Sequence, residues 1–270
     1  MSLKPGNDDS NISLIQQAAD SGINLFDTAD LYDHGDNEKL LGKALHGIRD
    51  KVYIATKVGN RWLENRSGWD WVPTKEHILE AVNQSLKRLQ TDYIDLYQLH
   101  GGTIDDNFDE VFETFELLKD QGKIRHYGIS SIRPNVIREV VPKHPLSSVM
   151  VQYSLLDRRP EEFILPYLKK HKRGVLVRGS LAKGLLIDKP PRSYLSFSKE
   201  EIEEIQKLNE SPITNSLSFV LSHDAISSAV IGIRNHEQLL KILEGYQSIN
   251  KADFSKLAGQ LRVNNYTDHL

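Results

Sequence analysis

The chain has 270 residues, a formal net charge of -3 and a pI of about 6.4. This length accommodates one large α/β domain, and the charge balance leaves no basic surface for nucleic acid or an anionic membrane. No apolar run approaches the roughly 18 residues of a membrane helix, the N-terminus does not read as a signal peptide, and the absence of cysteine excludes disulfides and thiolate sites. We therefore expect a cytoplasmic protein without a nucleic-acid or membrane partner and without a metal.

Short apolar segments alternate with helical patterns along the chain. The strand candidates begin near Ile23, Val52, Tyr93, Ile124, Ser147, Gly174 and Ser227. Helical patterns cover Ile12–Asp20, Glu38–His46, Lys75–Leu89, Phe108–Asp120, Pro134–Val141 and Glu161–His171, and two more lie near the end. Apolar strands separated by helices indicate a parallel sheet covered by helices. Because no linker or charge block marks a boundary, we expect one domain over residues 1–270.

Two architectures fit this alternation. A doubly wound sheet normally carries a glycine-rich phosphate turn after its first strand, and neither G-x-G-x-x-G nor G-x-x-x-x-G-K-[ST] occurs in the chain. Polar residues instead follow the ends of several strands, which is typical of the active site of a TIM (β/α)8 barrel. We therefore predict an α/β fold of this barrel type. Seven strands are readable where a closed barrel needs eight, and the polar residues 1–10 do not supply another, so we expect the first strand to be missing.

Four polar residues stand at or just beyond the ends of successive predicted strands: Asp27, Tyr32, Lys57 and His100. A phenol is a weak acid at neutral pH, and a neighbouring ammonium stabilises the phenolate and makes the phenol a better proton donor. Lys57 is the candidate cation, Asp27 its carboxylate partner, and His100 a donor that can orient a carbonyl. Together they predict a reductase, although each alone is compatible with a structural role. A hydrolase on the same barrel is less well supported, because the chain shows no paired carboxylates or metal-ligand cluster.

The motifs around these residues resemble those of the aldo-keto reductase superfamily. They are GINLFDTADLYDHGDNEKLLGKAL at Gly22–Leu45, ATKVGNRW at 55–62, SLKRLQTDYIDLYQLH at Ser85–His100, GKIRHYGISS at 122–131 and QYS at Gln152–Ser154. The resemblance extends from Gly22 to about Gln238, and motifs of this length in this order are specific. It implies the barrel fold and a bacterial-type NADPH-dependent aldo/keto reductase, in which the four residues form a catalytic tetrad.

The resemblance also implies NADP(H) as the cofactor, bound without a Rossmann motif, and a small aldehyde or ketone as the substrate. Ser130 and Gln152 would hold the nicotinamide carboxamide, with Ser131 standing where many members have an asparagine. Arg178 replaces a tyrosine that many members stack on the nicotinamide, and its charge would disfavour the oxidised ring. The pyrophosphate would be wrapped by the segment that contains Arg178, Gly179, Ser180, Leu181, Lys183 and Gly184.

The segment after the last strand would hold the far end of the cofactor. By the resemblance, Gly232, Arg234 and Gln238 lie there, and the planar guanidinium of Arg234 suits a 2′-phosphate. Ile242 stands where many members contact the adenine with an asparagine, so we expect that contact to be lost. Taken alone, Arg234 is more typical of a solvated surface arginine, and Ser130 and Gln152 fit strand-end hydrogen bonding to loops equally well.

Trp62, Trp69 and Trp71 lie in the long segment after Lys57. They either form an aromatic wall over the substrate or pack that segment down.

The segment between Gly184 and Ser227 looks short for the family. The opening MSL resembles the part of family members that follows the first strand, so we expect Met1 to be an internal methionine. Two other functions remain open on the same fold: a nucleotide-binding auxiliary protein and an inactive truncated barrel.

Overall fold

The computed structural model describes residue 3 and residues 6–65, 67–251 and 254–270. The chain divides into two units. The first contains Met1–Ser131, Arg138–Ser147 and Gly232–His236, and the second contains Ile132–Ile137, Ser148–Ile231 and Glu237–Leu270. The single domain over residues 1–270 stays a prediction. The expectation about Met1 falls on a residue outside the described ones and also stays a prediction.

The first unit is built on parallel strands with a short antiparallel hairpin beside them. Its strands are β1 Leu25–Asp27, β2 Tyr53–Val58, β3 Asn60–Trp62, β4 Trp69–Trp71, β5 Ile94–Leu99 and β6 Ile124–Ser130. Strands β1, β2, β5 and β6 pair in this order, all parallel. In this register Asp27 lies opposite Ala55 and Lys57 lies opposite Gln98. Because parallel strands share their direction, the C-terminal ends with Asp27 and Lys57 meet at one edge.

Four helices accompany these strands: α1 Asp8–Asp20, α2 Asp36–Leu45, α3 Lys75–Leu89 and α4 Phe108–Asp120. Helix α3 begins after Thr74, whose hydroxyl accepts a hydrogen bond from the backbone N–H of His77. Helix α4 begins after Asn107, whose side-chain amide oxygen accepts from the backbone N–H of Glu110. Such caps satisfy backbone donors that have no partner within the helix. The buried apolar face of α4 follows the helical period, with Phe108, Val111, Phe112, Phe115 and Leu118.

The remaining elements continue the alternation. They are α5 Pro134–Lys143, β7 Ser148–Gln152, α6 Ile164–Lys170, β8 Gly174–Arg178, α7 Lys199–Leu208, α8 Pro212–Leu221, β9 Ser228–Val230, α9 His236–Gln247 and α10 Ser255–Gln260. In the second unit, β7, β8 and β9 pair in this order and are parallel. Gln152 lies opposite Arg178, so both stand at the ends of their strands.

The seven predicted strands are all present; some ends coincide with the expected ones, and the others lie one to three residues inside them. The predicted helix Glu161–His171 is shorter than expected, because a 3-10 turn at Arg159–Glu161 precedes α6. The segment between Gly184 and Ser227 holds two helices: α7, which begins with a capping box of Ser198 and Glu201, and α8. The hairpin β3–β4 was not predicted. No helix in the described part of the chain is long and apolar enough to cross a membrane.

Candidate active site

Lys57 is a buried cation at the end of β2. Its side chain is 1% exposed, and its Nζ donates to both carboxylate oxygens of Asp27 and to the backbone carbonyl of Thr28, each at 2.7 Å. A buried charge is tolerated when it is paired and its donors are satisfied. Three acceptors for the three ammonium donors meet this condition, so the ammonium is held in one position.

Tyr32 lies beside this ammonium. The Nζ of Lys57 is 5.2 Å from the centroid of the Tyr32 ring. The ring is also packed edge-on against His100, with the two centroids 5.7 Å apart and an interplanar angle of 82°. His100 follows β5, and its backbone N–H donates to the carbonyl of Val58 at 2.8 Å. The structure therefore brings the four predicted residues together within the first unit, while their catalytic roles stay predictions.

The turn that carries Tyr32 has an unusual backbone. Asp33, His34 and Gly35 have φ angles of 49°, 55° and 85°, respectively. Left-handed backbone is uncommon for residues other than glycine and is often found at functional sites. The turn also brings His34 over Trp62, with ring centroids 3.8 Å apart. The backbone therefore adopts a left-handed conformation directly after Tyr32, and His34 is a site neighbour that sequence reasoning missed.

The three tryptophans lie in the β3–β4 hairpin and have different environments. Trp62 packs between His34 and Trp69, and Trp69 is 55% exposed. Trp71 donates from Nε1 to the carboxylate of Asp106 at 2.9 Å. These contacts show how the hairpin is packed. Substrate contact by Trp62, Trp69 and Trp71 remains a prediction.

Gly59 makes room for Trp71. A Cβ built on Gly59 would lie 2.6 Å from the six-membered ring of Trp71, and the φ of Gly59 is 125°. We expect Gly59→Ala to lower the free energy of unfolding by about 2 kcal/mol or more, through overpacking and backbone strain. Denaturant unfolding measures this loss. The control is Gly47→Ala, because nothing lies within 4 Å of its added Cβ; equal stability of the two variants would contradict this packing.

A buried polar cluster that the sequence did not reveal lies next to the four residues. Glu38 is fully buried; it accepts from the Thr56 hydroxyl and from the Nε of Arg88, each at 2.6 Å. Burial and the nearby Glu38 carboxylate raise the pKa of Asp30 to about 8. Burial also raises the pKa of Tyr97 well above its usual range. Asp30 and Glu38 are two of the five acidic residues in the motif at Gly22–Leu45, and no sequence signal distinguishes them from the other three.

In the second unit, the predicted nicotinamide residues already contact each other. The Nη1 of Arg178 donates to the Oε1 of Gln152 at 2.9 Å, and the Nε2 of Gln152 donates to Asp157 at 2.7 Å and to the Tyr194 hydroxyl at 3.2 Å. Asp157 is fully buried and is also held by Arg159 at 2.7 Å. Both Nε2 donors of the Gln152 carboxamide are therefore engaged, while its Oε1 can accept one more hydrogen bond.

The predicted pyrophosphate segment follows β8 as a tight turn. Its residues with positive φ are Gly179 at 78°, Ala182 at 46°, Lys183 at 59° and Gly184 at 89°. The hydroxyl of Ser180 is buried and has no hydrogen-bond partner among the described residues. Turns with successive left-handed residues can point backbone N–H groups at an anion. The turn and the Ser180 hydroxyl are thus compatible with a bound phosphate group.

The other predicted cofactor residues lie at the end of β6, after β9 and at the start of α9, as the sequence predicted. Ser130 ends β6 and Ser131 follows it, with 8% and 5% exposure. Gly232 and Arg234 lie between β9 and α9, and Gln238 lies in the first turn of α9. Ile242, on the same helix, is buried. Their contacts with a cofactor stay predictions. Within the described residues, no group of three or more His, Cys, Asp or Glu side chains could hold a metal ion.

Parallel strands with a buried lysine, a tyrosine and a histidine near their ends are the arrangement that the resemblance to aldo-keto reductases implies. Comparison with known proteins gives the same family. The profile of the Aldo/keto reductase family matches residues 1–259. The chain belongs to this family. The oxidoreductase YqkF of Bacillus subtilis (strain 168) is 50% identical over 243 residues, which are 84% of this chain and 79% of YqkF. The aldo-keto reductase AKR11C1 from Bacillus halodurans, in its holo form, matches with a TM-score of 0.88 and 42% identity, covering 96% of this chain and 89% of that one.

A further relative and a structure with the same fold are each named with a cofactor. The NADH-specific methylglyoxal reductase of Escherichia coli (strain K12) is 35% identical over 196 residues, which are 68% of this chain and 60% of that protein. An aldo/keto reductase from Klebsiella pneumoniae in complex with NADP and acetate shares the fold, with a TM-score of 0.79 and 22% identity over 100% of this chain and 91% of that one. The predicted membership of the family and its TIM (β/α)8 barrel fold are confirmed.

Proposed function

We propose that this protein reduces a small aldehyde or ketone to the alcohol with NADPH, and that Tyr32 supplies the proton. The observation that carries the proposal is the buried Lys57 ammonium, held by Asp27 at 2.7 Å and lying 5.2 Å from the Tyr32 ring. A fixed positive charge beside a phenol favours loss of its proton. General acid catalysis needs such a donor within hydrogen-bond reach of the substrate oxygen.

Each of the four residues has a role in this proposal. Tyr32 donates its phenolic proton to the carbonyl oxygen as negative charge develops there. Lys57 stabilises the phenolate that remains, and Asp27 keeps Lys57 in place. His100 packs against the Tyr32 ring and orients the carbonyl by a hydrogen bond. The Lys57 ammonium can stabilise this charge without first moving, because Asp27 holds it in place before the substrate arrives.

NADPH, when bound, supplies the hydride that reduces the carbonyl carbon. The left-handed turn at Gly179–Gly184 and the buried hydroxyl of Ser180 support phosphate binding in the second unit. The confirmed family supports a nicotinamide dinucleotide, and one solved structure with the same fold is a complex with NADP. The relative described as NADH-specific makes NADH the alternative cofactor. An auxiliary nucleotide-binding protein would bind a dinucleotide without turnover, and an inactive barrel would not bind it.

Substitution of Arg234 tests the proposed preference for NADPH over NADH. We expect Arg234→Ala to weaken NADPH binding about tenfold to a hundredfold and to leave NADH binding within about twofold, because a bidentate guanidinium–phosphate contact is lost only with the 2′-phosphate. Quenching of tryptophan fluorescence on titration with each cofactor measures both affinities. The control is Arg192→Ala, since Arg192 is exposed and has no assigned role. Equal weakening for both cofactors would rule out 2′-phosphate recognition by Arg234.

The reaction itself is tested by mixing the 270-residue chain with NADPH and a panel of aldehydes and ketones. We expect aldehyde-dependent loss of the reduced nicotinamide absorbance, with one alcohol formed per NADPH consumed. Saturable NADPH binding without oxidation by any carbonyl compound would favour the auxiliary protein. Absence of binding would favour the inactive barrel.

A further inference from the structure

Asp30 lies in the chain between two residues of the proposed catalytic group, Asp27 and Tyr32. It is three residues after Asp27 and two before Tyr32, and its backbone N–H donates to the carbonyl of Lys57 at 3.4 Å. The backbone of Thr28 makes a similar contact to Ala55, at 2.9 Å. The segment that leads to Tyr32 is therefore attached to strand β2 at Thr28 and at Asp30, and a displacement of Asp30 would move Tyr32 relative to Lys57.

The side chain of Asp30 points into protein rather than into solvent. The residue is partly exposed, but its Oδ1 is buried and has no hydrogen-bond partner among the described residues. An ionised carboxylate oxygen without a donor is strongly unfavourable in such a place. A protonated carboxyl group avoids this penalty.

The titratable and charged groups that act on Asp30 come from each element around it. Glu38 of α2 is negative, Arg88 of α3 and Lys57 of β2 are positive, and Tyr97 of β5 lies close enough to be affected by Asp30. Both cations are already engaged, since Arg88 binds Glu38 and Lys57 binds Asp27. An ionised Asp30 would therefore compete with these two carboxylates for their partners. Consistent with this, the pKa of Asp30 is raised to about 8, mainly by burial.

We propose that Asp30 is a positioning residue that must be protonated for Tyr32 and Lys57 to hold their catalytic arrangement. When neutral, Asp30 leaves the Asp27 carboxylate as the single side-chain partner of the Lys57 ammonium among the described residues. Loss of its proton to solvent adds a negative charge beside Glu38 and draws the Lys57 ammonium away from Asp27. The enzyme then loses activity at alkaline pH through a group that does not touch the substrate.

The test compares pH profiles of three proteins between about pH 6 and 10, covering both sides of a pKa of about 8. They are the unaltered chain, Asp30→Asn and the control Asp33→Asn, which changes an exposed carboxylate of the same turn. For the unaltered chain and the control, kcat/KM should fall up to about tenfold per pH unit above the transition, the slope of a single ionisation. Asp30→Asn should lack this transition. Coincident profiles for all three proteins would overturn the proposal.

A second readout does not depend on catalysis. The folded protein binds the Asp30 proton more tightly than the unfolded chain, so this contribution to stability is complete below the unfolded pKa and is lost as pH rises through about 8. The unfolding temperature of the unaltered chain should therefore fall relative to that of Asp30→Asn as pH rises toward about 8, and should then stay level relative to it. If Asp30→Asn does not fold, Asp30→Ser serves as the neutral variant.

The inference rests on the proposed reductase function for its activity readout, and the two can fail separately. Absence of carbonyl reduction in every variant contradicts the reductase function, while the unfolding profiles still test Asp30. Active variants with the same alkaline transition in Asp30→Asn contradict the role of Asp30 and leave the reductase function standing.

Discussion

Replacing Tyr32 with phenylalanine should lower the rate of carbonyl reduction by about 10² to 10⁴-fold, the range expected for loss of a general acid. The substitution removes one hydroxyl and keeps the ring that packs against His100, so we expect the fold and the cofactor affinity to be preserved. Single-turnover kinetics with NADPH and the best aldehyde of the panel measure the chemical step directly.

The control for this substitution is Tyr53→Phe, because Tyr53 is 57% exposed and lies at the other end of β2. It should reduce the aldehyde at the unaltered rate. Turnover within about threefold of the unaltered chain in Tyr32→Phe, well short of the expected loss, would contradict the assignment of Tyr32 as the proton donor. Loss of NADPH binding in Tyr32→Phe would instead indicate a structural role.

Replacing Lys57 with methionine should abolish reduction and also destabilise the fold. The ammonium is 1% exposed and is a direct partner of the buried Asp27. Removal of one member of a buried ion pair leaves the other charge without compensation and costs about 3–5 kcal/mol. We therefore expect a loss of this size in the free energy of unfolding, measured by denaturant unfolding at neutral pH.

Lys39→Met provides the matched control for Lys57→Met. Lys39 binds Asp36 at the same distance of 2.7 Å, but the two side chains are 56% and 70% exposed. An exposed pair contributes at most about 1 kcal/mol, so this variant should unfold almost as the unaltered chain does. Asp27→Asn combined with Lys57→Met should recover part of the lost stability, since the uncompensated carboxylate is then absent. Equal stability of Lys57→Met and Lys39→Met would contradict the buried pair.

The regular elements could be predicted because their patterns are local. Helix α4, for example, follows from the helical period of its buried apolar face, and the strands follow from apolar runs between helix ends. The β3–β4 hairpin could not be predicted in this way, because its two strands have only three residues each. Its register depends on pairing between Trp62 and Trp69 and on the space left by Gly59.

The site could be predicted only in part, for a related reason. Asp27, Lys57 and His100 end strands that are neighbours in a parallel sheet, so their proximity follows from topology. The environment of Asp30 does not follow from the strand topology, because it is created by Glu38 on α2 and Arg88 on α3. Sequence patterns do not give the distance between these helices. The stacking of His34 on Trp62 depends on three successive left-handed residues after Tyr32, which no local motif encodes.

The most direct test of the reductase function is transfer of deuterium from NADPH that carries deuterium at both hydrogen positions of C4 of the nicotinamide. The reductase function predicts that the alcohol formed by the unaltered chain carries deuterium on the former carbonyl carbon, in a one-to-one ratio with NADPH consumed, and that Tyr32→Phe forms little labelled alcohol. Mass spectrometry of the product gives the result. Saturable NADPH binding with no labelled alcohol from any aldehyde or ketone would contradict the assignment and identify a nucleotide-binding protein without reductase activity.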